Sequence, residues 1–544
     1  MTDHLTTNSP EWTHRLFELV NAANRSGAAL GLETVRTNGE LRLTITPLSP
    51  ELTPAQPVTE LVQGRGIPAV IDQTPNVRWV AYDLLATSAH LTEAKIELRE
   101  GLCLHLAEQA LDAFDDVAPT DAAANGTFAE RYDRVRQRIS SAEAVCPIGT
   151  LIELDSAGAL VASGINVHGV PWDEATYRRL MTRIMLKPQA DDLYPRRTKL
   201  DRHISTMFGG ARFDWWRELS DAFDGEGIEL TSSQRSELEV IDHPVVPSVL
   251  RWRELDTLAT RHGYEWAERW VHDGRWWPLF HPAGTVSGRW SGAGGALQLP
   301  RLLRPCVAVR AGRMLISADL SQVEPRMWAH LSGDPDLVAA CTQGDLYQAA
   351  GDQLRMARAE AKQAFLAALY DDGAARSRPA AALLRARFPA AVRYLDRATD
   401  HGRRGGVVRT GLGRTSPLRD ELVLEALNTP QRHRTMEHRK ALARRGRQSR
   451  NFVIQGAAAE LAAAVLAELR RTLHSRDADL VLFCHDEFLV EAAREEVREI
   501  VEALPHIVRT AVTKVLGASQ VSWPLAVGHG RNWAVASKRS VTES

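Results

Sequence analysis

Hydrophobic and polar positions change period several times along the chain, and the changes mark its elements. Near the start, residues 41–45 and 78–82 read as short β-strands and residues 94–114 as amphipathic helix. The Ala/Asp/Gly-rich run at 117–127 has the composition of a linker. From about 150 to 280 the pattern is mainly helical, with a polar break at 221–227. A Gly/Ser-rich loop at 284–298 leads into an apolar strand, MLISADL, and then a helix over 324–331. Residues 345–470 again read as helix, interrupted at GRRGG and TGLGR. LVLFC-HD-EFLVEA at 480–492 has the form strand–turn–strand. No internal repeat is visible. This succession predicts a mixed α/β fold, and 544 residues exceed what one compact core accommodates, so several domains are expected.

Composition narrows the class. Hydrophobic residues make up 44% and charged residues 25%, as in ordinary soluble globular proteins. With no run of about 18 apolar residues, no membrane partner is expected, and the N-terminus lacks the order of a secretory signal. Cysteines 103, 146, 306, 341 and 484 form no C-x-x-C pair and sit at no zinc spacing, which predicts reduced thiols in a cytoplasmic protein. The formal net charge of −2 gives no hint of a polyanionic partner. Its distribution does: residues 432–450 hold eight Lys/Arg and one acid, Glu437. Such a face suits a phosphodiester backbone, or simply a solvated helix. Arginine outnumbers lysine 59 to 7, so a lysine within a candidate site is informative.

The candidate chemistry lies at strand ends. MLISADL brings Asp319 to its last turn of pleat, with Ser321, Gln322, Glu324 and Arg326 just beyond. His485-Asp486-Glu487 forms the tip of an apolar hairpin, where neighbouring carboxylates repel unless a cation relieves them. Taken singly, these are a strand-end cap and an ordinary turn. Together, Asp319 and Asp486 could supply a two-metal site for in-line phosphoryl transfer. Between them Arg358, Lys362, Leu366 and Tyr370 recur every fourth residue, so a helix carries them as one stripe about 18 Å long. The alternative is an amphipathic helix with a solvated basic end.

GTVSGRWSGAGGALQLPRLLRP, ISADLSQVEPRMWAHLSGDPDL, RAEAKQAFLAALYDDG, GVVRTGLGRTSP, RNFVIQGAAAELA and FCHDEFLVEA stand in the order found in family A DNA polymerases, which the chain resembles over about residues 240–535. The likeness extends to the divergent actinobacterial branch labelled bifunctional 3'-5' exonuclease/DNA polymerase. The resemblance implies a right-hand fold of palm, fingers and thumb behind an N-terminal RNase H-like exonuclease domain. It implies that Asp319, Asp486 and the Leu320 carbonyl hold two Mg²⁺, with Mn²⁺ able to substitute, and that Glu487 is an auxiliary acid. Glu324 matches a steric gate against a ribose 2'-OH, with Gln322 beside it. Arg358 and Lys362 match the triphosphate-binding pair, Tyr370 the residue at the templating base, and Leu366 and Gln322 are further expected nucleotide-binding positions. Arg289, Gln298, Arg447, Asn451, Gln455 and His485 match contacts to primer–template DNA.

The departures are Leu366 where the family has an aromatic residue, Ala367 and Asp371 where it has Gly, Leu320 where it has Tyr, and Tyr347 where it has His. No D-x-E motif occurs before residue 145, so the N-terminal domain is expected to be a degenerate exonuclease, with Asp83 at most a remnant. The expected division is 1–145 exonuclease-like, 146–285 thumb, 286–345 palm, 346–445 fingers and 446–544 palm. The expected activity is primer extension with dNTPs without proofreading, by a monomer associated with the nucleoid. The rival readings are a single-subunit RNA polymerase-like enzyme and a non-catalytic, polymerase-derived DNA-binding protein. Glu324 and the acid of H-D-E disfavour the first, and the intact carboxylates the second.

Overall fold

The computed structural model describes residues 10–37, 40–48, 58–61, 77–117, 126–210, 216–230, 235–342, 344–370, 379–537 and 540–542. The segment predicted as a linker, and Asp371, lie mostly or wholly outside them. The N-terminal unit opens with helix α1 (Pro10–Ser26) and is built on strands β1 (Ala29–Thr37), β2 (Glu40–Pro47), β3 (Val58–Leu61), β4 (Arg78–Ala81) and β5 (Leu102–Cys103). Their order is β3-β2-β1-β4-β5; β1, β2 and β3 pair antiparallel, while β4 runs parallel to both β1 and β5. Alternation along β1 and β2 sends Leu30, Leu32, Leu43 and Ile45 into one core with Trp79 and Leu91. Helices α2 (Leu84–Glu93), α3 (Leu104–Phe114) and α4 (Phe128–Ala142) complete the unit. A reciprocal capping box of Thr127 and Glu130 starts α4.

The helix predicted over 94–114 begins only at Leu104. Lys95 takes a left-handed conformation (φ 61°) after α2 ends. Ile96 and Leu98 then enter the core from irregular backbone, and residues 102–103 join the sheet. Apolar spacing in this stretch reflects a buried connection rather than a helical face.

Helix α5 (Ile148–His168) runs buried between the N-terminal unit and the rest, touching α2 on one side. Helix α6 (Val246–His262) packs on the helix Pro195–Met207 in a region with its own small core around Ile204, Phe223 and Val249. The second sheet begins with β6 (Arg313–Leu320). Then come α7 (Val323–Ser332), α8 (Leu346–Leu354), α9 (Arg358–Tyr370), α10 (Pro389–Arg403) and the 38-residue α11 (Met436–Leu473). The hairpin β7 (Ala478–Cys484) and β8 (Glu487–Ala493), helix α12 (Val497–Leu516), β9 (Leu525–Gly530) and β10 (Ser540–Thr542) close it. Strand order is β7-β8-β6-β9-β10, antiparallel throughout.

Strand β8, second in the sheet, is buried along its whole length, and its two acids are neutralised inside. Glu491 meets Arg275 at 3.1 Å and Arg313 at 3.3 Å. Helix α11 is the spine: α10, α12 and α5 all pack on it. A Cβ on its Gly456 would lie 2.7 Å from Thr410 Cγ2, so glycine lets the TGLGR turn press on the helix. Windows of α5 and α11 are long and apolar enough to cross a membrane, but 72% and 78% of them is buried against other elements, which makes both core helices.

Candidate active site

The β7–β8 hairpin turns through His485, whose φ of 60° places Asp486 at the tip. Asp319 is the penultimate residue of β6, in register with Glu487 on one side and Ala526 on the other. The Leu320 amide donates to the Asp486 carbonyl at 3.0 Å, tying the hairpin tip to the end of β6. Burial pushes the Asp486 carboxyl up to about 7; the charges of Glu324 and Asp319 add to this, and Arg289 opposes it. An Asp486 carboxyl raised by its neighbours' charges marks a site in deficit of positive charge. Hard, paired carboxylate oxygens are the donors Mg²⁺ and Mn²⁺ favour. Among the described residues no three His/Cys/Asp/Glu side chains are arranged to hold an ion alone. Two carboxylates leave further coordination to water and substrate oxygens, which fits a magnesium site rather than a closed protein cage.

Glu487 has a different environment. Its buried carboxylate accepts from Ser317 Oγ at 2.6 Å, Trp533 Nε1 at 2.7 Å and Arg304 Nη2 at 3.1 Å. Arg304 also stacks on the Trp533 ring, 4.0 Å from its centroid. This network, invisible to sequence spacing, fastens β8 to β6 and to the C-terminal turn of chain.

The floor beside the carboxylates comes from the start of α7. Gln322 takes a left-handed conformation (φ 58°), and the turn presents Glu324 in the first helical turn. Glu324 forms an ion pair with Arg289 and accepts from the Tyr370 hydroxyl at 2.8 Å. Burial, and then the charge of Glu324, push the Tyr370 phenol up. Arg289 is held by the Gly-rich loop. A Cβ on Gly288 (φ +80°) would lie 2.3 Å from Arg414 Cζ. Arg414 is itself buried, 2.7 Å from Asp155 and 3.8 Å from Glu460. Sequence reading passed over Asp155, Arg414 and Glu460, since an ion-paired core triad has no local signature.

Gln322 does not stand free. Its amide donates to Asp345 at 2.8 Å, and its carbonyl oxygen accepts from the Leu346 amide and from Arg326. Asp345 caps α8 and accepts from Arg358 Nε at 2.7 Å. Arg326 is fully buried and donates to the carbonyls of Ser321, Cys341, Gly344 and Ser522. The stripe on α9 forms as predicted. Arg358, Lys362 and Tyr370 lie on the outer face with Leu366 half-buried, while Ala361, Ala364, Phe365 and Leu369 face the core. Lys362 has no ion-pair partner among the described residues.

The basic stretch 432–450 divides by function. Arg445 and Arg450 are buried cross-links: Arg445 donates to Ser416 and Gly406, and Arg450 to Ala368 and Asp396. Arg447 is exposed, and Asn451 and Gln455 follow it half-buried along α11. Among the described residues, Asn451 Oδ1 is buried without a hydrogen-bond partner. Further along, α11 meets the hairpin at a cavity of about 180 Å³ lined by Arg289, Leu297, Ala458, Phe483, His485 and Asp486. Burial and Arg289 push the His485 imidazole down. Gln298 stands apart, accepting from Arg261 of α6 at 2.9 Å.

The sequence pattern of DNA polymerase family A matches residues 225–535. The chain is 27% identical over 339 residues to DNA polymerase I of Chloroflexus aurantiacus, covering 56% of this chain and 34% of that protein. It is 29% identical over 323 residues to that of Deinococcus radiodurans, covering 54% and 32%. With the thermostable DNA polymerase I of Thermus aquaticus it shares 27% over 326 residues, covering 54% and 37%. The matched part thus spans about a third of these relatives' length. Among solved structures, the POL domain of Pol1 from M. smegmatis, in complex with DNA primer-template and dNTP, superposes with a TM-score of 0.72. That match has 18% identity and covers 95% of this chain and 98% of that one. The fold is the right-hand arrangement of palm, fingers and thumb, and the chain belongs to DNA polymerase family A.

Proposed function

We propose that this chain extends a DNA primer on a DNA template by template-directed addition of dNTPs. The observation that carries the reading is the convergence of Asp319, near the end of β6, and Asp486, at the tip of the β7–β8 hairpin, on a site floored by Glu324, whose carboxylate also holds Tyr370 at one end of the α9 stripe. Two divalent ions, Mg²⁺ or Mn²⁺, would be held by Asp319, Asp486 and the Leu320 carbonyl and would supply charge for activation of the primer 3'-OH and for the leaving group. The remaining work is positioning and charge neutralisation. Lys362 offers a compact ammonium to the triphosphate. Arg358 reaches the same anion by exchanging Asp345 for phosphate oxygens. Glu324, immobilised by Arg289 and Tyr370, closes the space a ribose 2'-OH would occupy. Arg447, Asn451, Gln455, His485 and Gln298 are assigned to the primer–template. Glu487 is assigned to holding β8 in register rather than to direct metal contact.

We assign the palm to residues 286–345 and 446–544, the fingers to 346–445, the thumb to 146–285 and an exonuclease-like domain to 1–145. Proofreading is proposed to be absent: Asp83, the one acid that follows β4 directly, accepts from the Ala86 amide at 3.1 Å as a helix cap. The test is extension of a labelled primer on a DNA template with dNTPs and Mg²⁺, with and without chelator. Chelator-sensitive, template-specified extension supports the reading; no extension by folded protein that binds the duplex would instead favour a non-catalytic DNA-binding role.

A further inference from the structure

A cavity of about 910 Å³ lies where the N-terminal sheet meets α4, α5 and the C-terminal end of α11. Its lining takes in Arg78 and Trp79 at the start of β4, whereas Asp83 follows the far end of that strand and does not line it, so the cavity is not the exonuclease-like site. It is also remote in sequence and in elements from Asp319, Asp486 and α9. Its inner wall is apolar and aromatic, with Trp79 and Tyr132 buried beside Leu102 and Val135. Seven lining side chains are cationic and three anionic. That excess stands out on a chain whose formal net charge is −2.

The fixed charges are partly accounted for. Arg470 donates to the carbonyls of Leu98 and Arg99, Lys514 faces Glu153 at 3.7 Å, and Arg471 faces Glu100 at 4.0 Å. Arg25 at the end of α1 and Arg78 at the start of β4 are exposed at the rim and have no ion-pair partner among the described residues. An apolar wall behind a ring of guanidinium groups matches a ligand with a flat apolar body and an anionic tail. Arginine is the side chain best shaped to grip phosphate oxygens in pairs. The volume falls within the range of about 300–1,000 Å³ that holds small-molecule ligands, and such sites favour junctions between domains.

We propose that this cavity is a second nucleotide site, separate from the polymerase site. It would take a phosphorylated nucleotide with its base against Trp79 and Tyr132 and its phosphates on Arg25 and Arg78. The nucleotide is either free or the 5'-phosphorylated end of a strand, since both present the same chemistry to the rim.

Calorimetric titration of the full chain tests this. The background variant Arg358→Ala/Lys362→Ala removes nucleotide binding at the polymerase site, so the outcome does not depend on that site's assignment. The probes are ADP, pyrophosphate and a 5'-phosphorylated thymidine dinucleotide. One-site binding of ADP or of the dinucleotide is expected to persist in the background variant. It should weaken at least about tenfold, or about 1.4 kcal/mol, when Arg25→Glu/Arg78→Glu is added. Both rim residues are exposed, so unchanged circular dichroism is expected to accompany that loss. Whichever of ADP and the dinucleotide binds more tightly identifies the source. No binding of either probe, binding indifferent to the rim variant, or pyrophosphate binding as tightly as ADP would each overturn the proposal.

Discussion

Removing the Glu324 side chain separates its two conceivable roles. As the first-turn acid of α7 it stabilises the helix through the dipole, worth about 0.3–1 kcal/mol, and it anchors Arg289 and the Tyr370 hydroxyl. Truncation to alanine strands neither partner in a dry site: the Arg289 side chain is 40% exposed and Tyr370 is 37% exposed, so both can rehydrate. The loss of stability should therefore be about 1–2 kcal/mol, below that of a fully buried orphaned pair. The effect on sugar selection should be larger. Glu324 is only 9% exposed and is fixed from two sides, so it cannot swing away from an added 2'-OH. Discrimination that comes from a clash disappears with the clashing group. The ratio of rNTP to dNTP efficiency should rise by about two to three powers of ten, or ~3–4 kcal/mol. Glu324→Gln, which keeps the volume, should retain most of the selectivity. The assay is single-nucleotide incorporation with matched rNTP and dNTP at a temperature where wild type and both variants are folded. An unchanged ratio in Glu324→Ala would refute the reasoning and leave Glu324 a helix-start residue.

Other consequences follow from the same geometry. Lys362→Arg keeps the charge but replaces a compact ammonium with a wider group that does not release its proton, so incorporation should fall at least about tenfold; full turnover would reduce Lys362 to a point charge. Glu460 is buried, accepts from Thr410 Oγ1 at 2.5 Å and is pushed by burial from 4.5 to about 7. Because the folded state holds this proton more tightly, its stabilising contribution is full below 4.5 and is lost as pH rises to about 7. Glu460→Gln should then gain on wild type in denaturant melts as pH rises, by up to about 3 kcal/mol above neutrality; a pH-independent difference would sink this. A mismatched primer 3' end incubated with Mg²⁺ and no dNTP should remain intact, whereas shortening that vanishes in Asp83→Ala would reveal a working nuclease.

What the sequence disclosed was chemistry tied to local pattern. The placement of Asp319 and Asp486 was legible because one lies at the end of an apolar strand and the other in the turn of an apolar hairpin, and the α9 stripe because its residues recur at helical spacing. The family blocks fixed their order. What stayed hidden were pairings set by tertiary packing across long separations. Arg304 meets Glu487 from 183 residues away, and Arg414 meets Asp155 from 259. Neither distance leaves a mark in periodicity. The basic run at 432–450 looks uniform in sequence, yet the buried Arg445 and Arg450 are tied to backbone carbonyls and to Asp396 while Arg447 remains outside. Charge content showed the surplus but not which members face solvent. The helix misread over 94–103 has the same origin, since Ile96 and Leu98 are buried from irregular backbone.

The central claim is that Asp319 and Asp486 serve the reaction rather than the fold or the grip on DNA. Its most direct test measures primer extension and primer–template binding in the same preparations of wild type, Asp319→Asn and Asp486→Asn. Asparagine preserves size but removes the charge that attracts a divalent ion. The account predicts loss of extension by at least about a thousandfold, or ~4 kcal/mol, in each variant, with duplex affinity within a few-fold of wild type. Extension within about tenfold of wild type in either variant, or loss of duplex binding in step with extension, would contradict it.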